Sequence, residues 1–534
     1  MNNADLIVAT LKKAGVTHGF GIPSGNVLPL MESMRSGGIE FVLTAHEGSA
    51  AFAADVMGRQ TGVPGFCLAT LGPGATNLTT GVGNAWLDRS PMIAITCNLN
   101  QNLLGRRIQM WIDHHQLFKP ITKASFALDF DNVEETIQKS ISLTLSEPMG
   151  PVHIDLPEDV ALAPAKPSNL ERFPITSLKK ASDNSIKQAQ ELLASSRRPI
   201  AVIGSNAMRM KDTEILLKFI EKWKLPFMTT TMAKGLIDDD HPLALGCIER
   251  ARRQLQRSFC NKADLIIGLG YDTIEVEYEA WIDGIPILQI DIEPVDVDKS
   301  VKVSSEITGD ICGNLLNLLP IPAANSNDWD SVELDTHRKE FQKALRPKGD
   351  GFQAHEAIDV VRNVLPRNGI LSFDVGAHTH QIASQWAAHH PKEFLITNGW
   401  SSMGFGLPGA IAAKLAQPEK PVVCLIGDGC FQMTCGELAT AKRVGINLPV
   451  VVLDDRWLGL IRVKQIRRQL DIYGTPLGEI NYENPPEHYF GVPAVGVKTP
   501  EELETALSFA LKTEGPQVIE ARINSDHYID TVFD

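Results

Sequence analysis

The chain has 534 residues, of which 43% are hydrophobic, and its formal net charge is −14. This length suits about three domains of ordinary size, with large buried cores. The acidic balance argues against a general nucleic-acid binder and favours small molecules and other subunits as partners. No apolar run reaches the ~18 residues of a membrane span, and the N-terminal Met-Asn-Asn-Ala-Asp has no signal-peptide pattern.

The eight cysteines are scattered and form no Cys-x-x-Cys motif. The nearest pair, Cys430 and Cys435, is more typical of core packing than of a metal site. Free thiols suit a reducing compartment, so we expect a cytoplasmic protein.

Two proline-containing stretches, 161–168 and 319–327, have the composition of interdomain linkers. They predict three domains, covering residues 1–165, 180–320 and 345–534. Each domain alternates short apolar runs with helical periodicity, which predicts an α/β fold with parallel sheets. The predicted strands are 17–22, 40–44, 65–70, 92–97 and 152–156, then 199–203, 265–268 and 287–292, and finally 369–374, 422–426, 450–453 and 517–521.

In the first domain, two strands lead into turns that open helices. The strand at 40–44 is followed by His46-Glu47 and a run of small residues, which allows close packing against the helix backbone. A glutamate at a helix start is favourable for the helix dipole. The strand at 65–70 is followed by Gly72-Pro73-Gly74, a tight turn into another helix.

In the third domain, acidic residues follow two strands. One strand ends at Gly427-Asp428-Gly429 and the next at Asp454-Asp455, with a helical stretch at 436–443 between them. Parallel strands joined by a helix bring both acidic sites to the carboxyl edge of one sheet, where open α/β sheets bind ligands. Mg²⁺ favours one or two carboxylates together with substrate phosphates, so the pattern predicts a magnesium site. The turn after strand 369–374 also opens a helix, and its free N–H groups suit a phosphate.

This pattern resembles the metal and diphosphate motif of thiamine-diphosphate (ThDP) enzymes, in which Gly-Asp-Gly is followed by a helix, a strand and usually Asn-Asn. The resemblance implies that Asp428 and Asp455 give side-chain oxygens to Mg²⁺ and that Trp457 gives a main-chain carbonyl. Asp454 and Asp455 replace the usual asparagines. The added negative charge beside the diphosphate is expected to make cofactor binding more dependent on the metal.

Other stretches resemble further motifs of the acetolactate-synthase-like ThDP enzymes. The resemblance implies that Glu47 is the catalytic glutamate, which hydrogen-bonds N1′ of the aminopyrimidine and so promotes deprotonation of the thiazolium C2. It implies that Met403 is the bulky wedge beneath the bent cofactor and that Ser401 supplies a backbone contact. The remaining implied cofactor-binding residues are Pro73, Asn77, Val375, Gly376, Ala377, His378, Gly427 and Gly429.

The resemblance also implies the architecture and the assembly. Two flavodoxin-like ThDP-binding domains would flank a Rossmann-like middle domain, with the pyrimidine bound by the first and the diphosphate by the third. The active site would lie between subunits, with Glu47 of one chain facing Asp428 of another, in a homodimer or a homotetramer. FAD is disfavoured, because residues 203–207 are poor in glycine and Tyr271-Asp272 replaces the Gly-Val-Arg stretch of flavin-binding synthases.

Residues on the substrate side are less clearly matched. The stretches 84–91 and 107–123 resemble benzaldehyde lyase, and in that register Gln109 is the active-site glutamine. His114 and His115 are similar to the paired histidines of pyruvate decarboxylases and are candidate acids or bases, although adjacent side chains point in different directions. Lys464 stands where biosynthetic acetohydroxyacid synthases carry a tryptophan, which argues against that enzyme; the lysine could meet a substrate carboxylate.

Together these features predict a ThDP- and Mg²⁺-dependent enzyme that acts on 2-oxo acids and aldehydes. A 2-oxo acid such as pyruvate would be decarboxylated with the cofactor as electron sink, and the product would add to a second carbonyl, as in acetolactate formation. Two alternatives stay open, a simple 2-oxo acid decarboxylase and a benzaldehyde-lyase-like carboligase. A third, a non-catalytic homologue that acts as a binding or regulatory subunit, is supported only by Asp455 and opposed by Glu47.

Overall fold

The computed structural model describes residues 1–167, 173–320, 327–478, 480, 482 and 489–532. These residues form three six-stranded sheets in which every pair of strands is parallel. The predicted α/β class with parallel sheets is therefore confirmed. Two parts of the predicted linkers lie outside the described residues: residue 168 of the first linker and residues 321–326 of the second.

The first sheet has the strand order β2-β1-β3-β4-β6-β5. Its strands are β1 His18–Gly21, β2 Glu40–Leu43, β3 Gly65–Thr70, β4 Met92–Asn98, β5 Ala124–Ala127 and β6 Pro151–Pro157. The helices of this domain are α1 Asn3–Lys13, α2 Leu28–Gly37, α3 Glu47–Thr61, α4 Pro73–Leu87, α5 His114–Phe118, α6 Val133–Leu145 and α7 Glu158–Leu162.

The middle sheet has the order β12-β11-β10-β7-β8-β9, which is the 3-2-1-4-5-6 order of a Rossmann fold read from its other edge. Its strands are β7 Pro199–Ile203, β8 Phe227–Thr229, β9 Ala244–Cys247, β10 Leu265–Leu269, β11 Ile287–Asp291 and β12 Val303–Thr308. Its helices are α8 Asp183–Ser195, α9 Glu214–Trp223, α10 Arg253–Cys260 and α11 Ile311–Leu318, and α12 Ser331–Ala344 follows.

The third sheet, β14-β13-β15-β16-β18-β17, repeats the strand order of the first. Its strands are β13 Ile370–Phe373, β14 Phe394–Leu395, β15 Val422–Gly427, β16 Leu448–Asp454, β17 Ala494–Val497 and β18 Pro516–Arg522. Its helices are α13 Ala354–Val364, α14 Ala377–Gln385, α15 Gly406–Ala416, α16 Asp428–Thr434, α17 Glu437–Arg443, α18 Gly459–Arg467, α19 Pro500–Ala510 and α20 Tyr528–Thr531. The helix predicted between the two acidic sites is thus preceded by a further helix that begins at Asp428 itself.

Small residues bring the first and third domains into close contact. Helix α3 packs against both α4 and α15, and one hydrophobic core includes residues of both domains. A Cβ atom added at Gly81 of α4 would lie only 2.4 Å from the Cβ of Ala51 in α3. The run of small residues after Glu47 therefore serves helix–helix packing. No helix in the described part of the chain is both long and apolar enough to cross a membrane.

A buried ion network also joins these two domains. Arg59 of α3 donates to Asp55 at 2.6 Å, to Asp88 at 2.9 Å and to the carbonyl of Ile396 at 2.8 Å. Asp88 in turn accepts from the backbone N–H of Gly399 at 2.7 Å. The network therefore fixes the stretch that runs into Ser401.

We expect Arg59→Ala to lower the free energy of unfolding by about 3–5 kcal/mol, because it leaves two buried carboxylates without their cation. Urea denaturation of the metal-free protein measures the change. Arg35→Ala is the control, because Arg35 pairs with Glu32 on the surface and its loss should have no measurable effect. Equal stability of the two variants would contradict the role given to the network.

Candidate active site

Three carboxylates meet at the carboxyl edge of the third sheet. Strands β15 and β16 are neighbours, with Gly427 opposite Leu453, so Asp428 lies beside Asp454 and Asp455. The backbone N–H of Arg456 donates to Asp428 at 2.8 Å and to Asp454 at 3.2 Å, which holds the two side chains together. The predicted strand–helix–strand placement of the acidic residues is thereby confirmed.

This arrangement is electrostatically unfavourable without a cation. Burial, followed by the charges of Asp455 and Asp454, raises the pKa of Asp428 to about 9. Burial raises the pKa of Asp455 to about 6, and Asp454 adds to the effect. Asp454 Oδ2 is buried and has no hydrogen-bond partner in the structure. A hard divalent cation fits this set of oxygens, because Mg²⁺ prefers carboxylate and other oxygen ligands.

A cavity of about 220 Å³ opens beside the carboxylates. It brings together all the site residues that were predicted in the third domain except Lys464. These are Val375, Gly376, Ala377, His378, Ser401, Met403, Gly427, Asp428, Gly429, Asp455 and Trp457. The lining also includes Leu458, Gly459, Leu460 and Ile461, and four residues to which the sequence analysis gave no role in the site: Cys430, Leu453, Ile523 and Tyr528.

His378 and the start of α14 form the side of the cavity that suits an anion. Burial lowers the pKa of His378 to about 4, so its ring is neutral, and its Nε2 is buried without a hydrogen-bond partner. The ring needs glycine on both sides, since a Cβ would lie 2.5 Å from it at Gly376 and 2.8 Å at Gly427. Free N–H groups at a helix start, together with an unpartnered imidazole nitrogen, fit a phosphate group.

Asp374, the last residue of the predicted strand 369–374, organises the turn that carries Met403. Its buried carboxylate accepts from the backbone N–H groups of Val375 at 2.7 Å, Gly404 at 3.0 Å and Gly406 at 2.8 Å. The turn contains two left-handed backbone positions, Ser401 with φ 51° and Gly404 with φ 97°. An aspartate at the end of a strand is a weak signal in the sequence. Two of the N–H groups that Asp374 binds, those of Gly404 and Gly406, lie about thirty residues further along the chain.

The first domain holds a second group of predicted residues, around Glu47. Asn77 donates from Nδ2 to Glu47 Oε2 at 3.0 Å, and Pro73 is the first residue of the same helix as Asn77. Glu437, from the third domain of the same chain, accepts from the backbone N–H groups of Ala45 at 3.0 Å and His46 at 3.2 Å. Sequence analysis missed Glu437, because only the fold brings it to the strand end that precedes Glu47.

The two groups of residues are separate within one chain. All the described residues that line the cavity lie between positions 375 and 528, so neither Glu47, Pro73 nor Asn77 reaches it. Gln109 is exposed, and its neighbour Met110 packs on the Gly72 turn. Lys464 is half-buried on α18 and does not line the cavity.

The two histidines have different surroundings. His114 is buried; its Nε2 accepts from the N–H of Gly72 at 3.3 Å, and its Nδ1 lies 3.0 Å from Asp155. Both ring nitrogens of His114 are thus engaged, and the ring supports the turn that leads into Pro73. His115 is partly exposed, and its Nδ1 lies 2.7 Å from the hydroxyl of Ser125.

Comparison with known proteins agrees with this geometry. Three profiles described as thiamine pyrophosphate enzyme match in order: the N-terminal TPP binding domain at residues 1–117, the central domain at 186–319 and the C-terminal TPP binding domain at 374–521. The chain is therefore a ThDP-dependent enzyme that forms or cleaves carbon–carbon bonds.

Similarity to individual proteins extends along the whole chain. It is 30% identical to the probable acetolactate synthase large subunit of Methanococcus aeolicus, over 100% of this chain and 94% of that protein. It is 31% identical to the corresponding protein of Methanocaldococcus jannaschii, over 98% and 92%. It is 29% identical to acetolactate synthase isozyme 2 large subunit of Escherichia coli, over 98% and 96%. The chain belongs to the superfamily of ThDP-dependent enzymes that includes the acetolactate synthases.

Because the pKa of Asp455 is raised, removal of its charge by substitution tests whether the carboxylates form a cation site. Above about pH 6 the folded protein carries the repulsion of an ionised Asp455, whereas at pH 4 the folded group is protonated and the unfolded group is about half protonated. We therefore expect Asp455→Asn to stabilise the metal-free protein by about 1–2 kcal/mol at pH 8 and by no more than about 0.5 kcal/mol at pH 4. The variant should also gain less thermal stability than the wild type when Mg²⁺ is added.

The control is Asp471→Asn, because Asp471 is exposed and lies outside the cavity lining. Melting temperatures at both pH values, with and without Mg²⁺, measure the effect. A metal-free Asp455→Asn protein that is less stable than the wild type at pH 8 would refute the electrostatic argument.

Proposed function

We propose that this protein is a ThDP- and Mg²⁺-dependent carboligase of the acetolactate-synthase type, which decarboxylates pyruvate and joins the product to a second carbonyl compound. The observation that carries the proposal is the single cavity that joins the acidic strand edge, His378 and Met403. The acetolactate synthase names of relatives over the full length of the chain support the same reaction. We propose a cytoplasmic location and no requirement for FAD.

The residues of the third domain would hold the metal and the diphosphate. Asp428 and Asp455 supply carboxylate oxygens to Mg²⁺, and Trp457 supplies its main-chain carbonyl. His378 and the N–H groups at the start of α14 bind the phosphate oxygens. Bound ThDP supplies the nucleophilic carbon and the electron sink for decarboxylation. The chain itself binds, orients and polarises the cofactor.

Glu47 would complete the site from a second copy of the chain. Its position at the start of α3, with Asn77 beside it, leaves the carboxylate able to exchange a proton with a ring nitrogen of the cofactor. Because Glu47 does not reach the cavity of its own chain, two copies are needed for a complete site. Several relatives are named large subunits, which for those proteins implies a further subunit; for this chain we propose that a homo-oligomer suffices.

One part of the cavity wall suits an aliphatic substrate. Leu458, Leu460 and Ile461 line the cavity at the start of α18, and Lys464 follows about one turn later. A small 2-oxo acid could place its methyl group on this apolar wall and its carboxylate toward the lysine. The alternative, a benzaldehyde-lyase-like carboligase or a simple decarboxylase, is favoured by the lyase-like stretches that include Gln109, whose neighbour Met110 packs on the Gly72 turn.

Incubation of the purified protein with ThDP, Mg²⁺ and pyruvate, followed by NMR, tests the reaction. We expect acetolactate as the main product and no turnover without Mg²⁺. Acetaldehyde as the sole product would assign the protein to the decarboxylases. Unchanged pyruvate would contradict the proposal and would favour the lyase-like reading, which the addition of aromatic aldehydes then tests.

Glu47→Gln tests proton transfer by the first domain. We expect at least a hundredfold loss of kcat, in the usual range for removal of a general acid–base group. Exchange of the cofactor C2 proton with deuterium should slow by a similar factor. Glu40→Gln is the control, since Glu40 is exposed on β2 and lies before the same turn. If the C2 proton of the cofactor exchanges in the Glu47→Gln protein at the wild-type rate, Glu47 has no part in removing that proton.

Mixing two inactive variants tests the arrangement between subunits. Asp428→Asn and Glu47→Gln proteins, dissociated and reassembled together, should regain about a quarter of wild-type activity. About half of randomly assorted dimers are mixed, and each mixed dimer has one complete site of its two. No recovery, despite mixed dimers shown by mass spectrometry, would mean that Glu47 and Asp428 act from the same chain.

A further inference from the structure

The cavity contains a buried hydroxyl group that the proposed metal and diphosphate ligands do not use. Tyr528 is 2% exposed, belongs to the C-terminal helix α20 and lines the cavity together with Asp455 and Trp457. Its hydroxyl oxygen is buried and has no hydrogen-bond partner among the residues that the structure describes. A buried hydroxyl without a partner is unfavourable by about 1–3 kcal/mol, so its retention calls for a physical explanation.

The ring of Tyr528 is held in place from several sides. It packs in a small core with Ala354, Ala377, Val463 and Val532, and Ala377 is itself a cavity residue at the start of α14. The helix that carries it is tied to the middle domain, because the N–H of Arg252 donates to the carbonyl of Thr531 at 2.9 Å. The hydroxyl is therefore positioned in advance, before any ligand binds.

The charges around the hydroxyl indicate what it can bind. Burial, followed by the charges of Asp455 and Asp428, raises the pKa of Tyr528 well above its usual value, so the hydroxyl stays protonated. A protonated phenol is a hydrogen-bond donor, and its preferred partner is an anionic oxygen. Once a cation occupies the carboxylates, the anion that accompanies the cation is the natural acceptor.

We propose that Tyr528 donates a hydrogen bond to a diphosphate oxygen of the bound cofactor, which makes the C-terminal helix part of the cofactor site. The proposal rests on the proposed ThDP-dependent function. It assigns part of the cavity wall to a residue about seventy positions after Asp455.

Tyr528→Phe removes the hydroxyl and keeps the ring. Calorimetric titration of ThDP into the protein with saturating Mg²⁺ should give a Kd about tenfold higher than that of the wild type, as expected for a hydrogen bond to a charged group. The Kd for inorganic diphosphate with Mg²⁺ should rise by the same factor, because the proposed hydrogen bond is made to the diphosphate. The melting temperature of the cofactor-free variant should be unchanged or higher, since the variant loses an unpartnered polar atom.

Tyr473→Phe is the matched control, because Tyr473 is 86% exposed and should alter neither Kd nor melting temperature. A Tyr528→Phe protein that binds both ligands as the wild type does, or that loses only ThDP affinity, would overturn the proposal. A lower melting temperature of the cofactor-free variant with unchanged Kd would make Tyr528 a purely structural residue. Failure of the wild type to bind ThDP would instead refute the proposed function itself.

Discussion

The repulsion among Asp428, Asp454 and Asp455 is the constraint on which the site depends. Parallel strand pairing forces these carboxylates to one edge, and the shared N–H of Arg456 holds two of them together. Because these carboxylates are buried, water does not screen their charges effectively. The folded protein therefore contains an unfavourable interaction that a bound divalent cation would relieve, and such binding would stabilise the third domain.

The first domain is positioned for this site by contacts from the third domain of its own chain. Glu437 accepts hydrogen bonds from the backbone N–H groups of Ala45 and His46, which precede Glu47. The Arg59–Asp88 network fixes the stretch before Ser401. If Glu47 serves the cavity of a second copy, each chain aligns the catalytic group that its neighbour uses.

Local signals made the acidic edge predictable. Asp428 and Asp455 directly follow buried apolar strands, and that spacing is visible in the chain itself. The missed strands β5, β9, β12, β14 and β17 all lie at sheet edges, and β8 has only three residues, so none forms a long apolar run. Asp374, Glu437 and Tyr528 were missed for another reason: their roles arise from partners far away in the sequence. Such long-range contacts leave no periodic pattern.

The unpartnered atoms at this edge form a set that one ligand can satisfy. Asp454 Oδ2 is an acceptor for a cation or its bound water, whereas the Tyr528 hydroxyl and, in the tautomer that carries its proton there, His378 Nε2 can donate to an anionic oxygen. Separate elements hold these buried polar atoms beside one cavity, and each atom would be unfavourable in a core without a ligand. A metal paired with a diphosphate would satisfy both kinds at once, whereas neither component alone would do so. Under the proposed function, binding of the two should therefore be strongly interdependent.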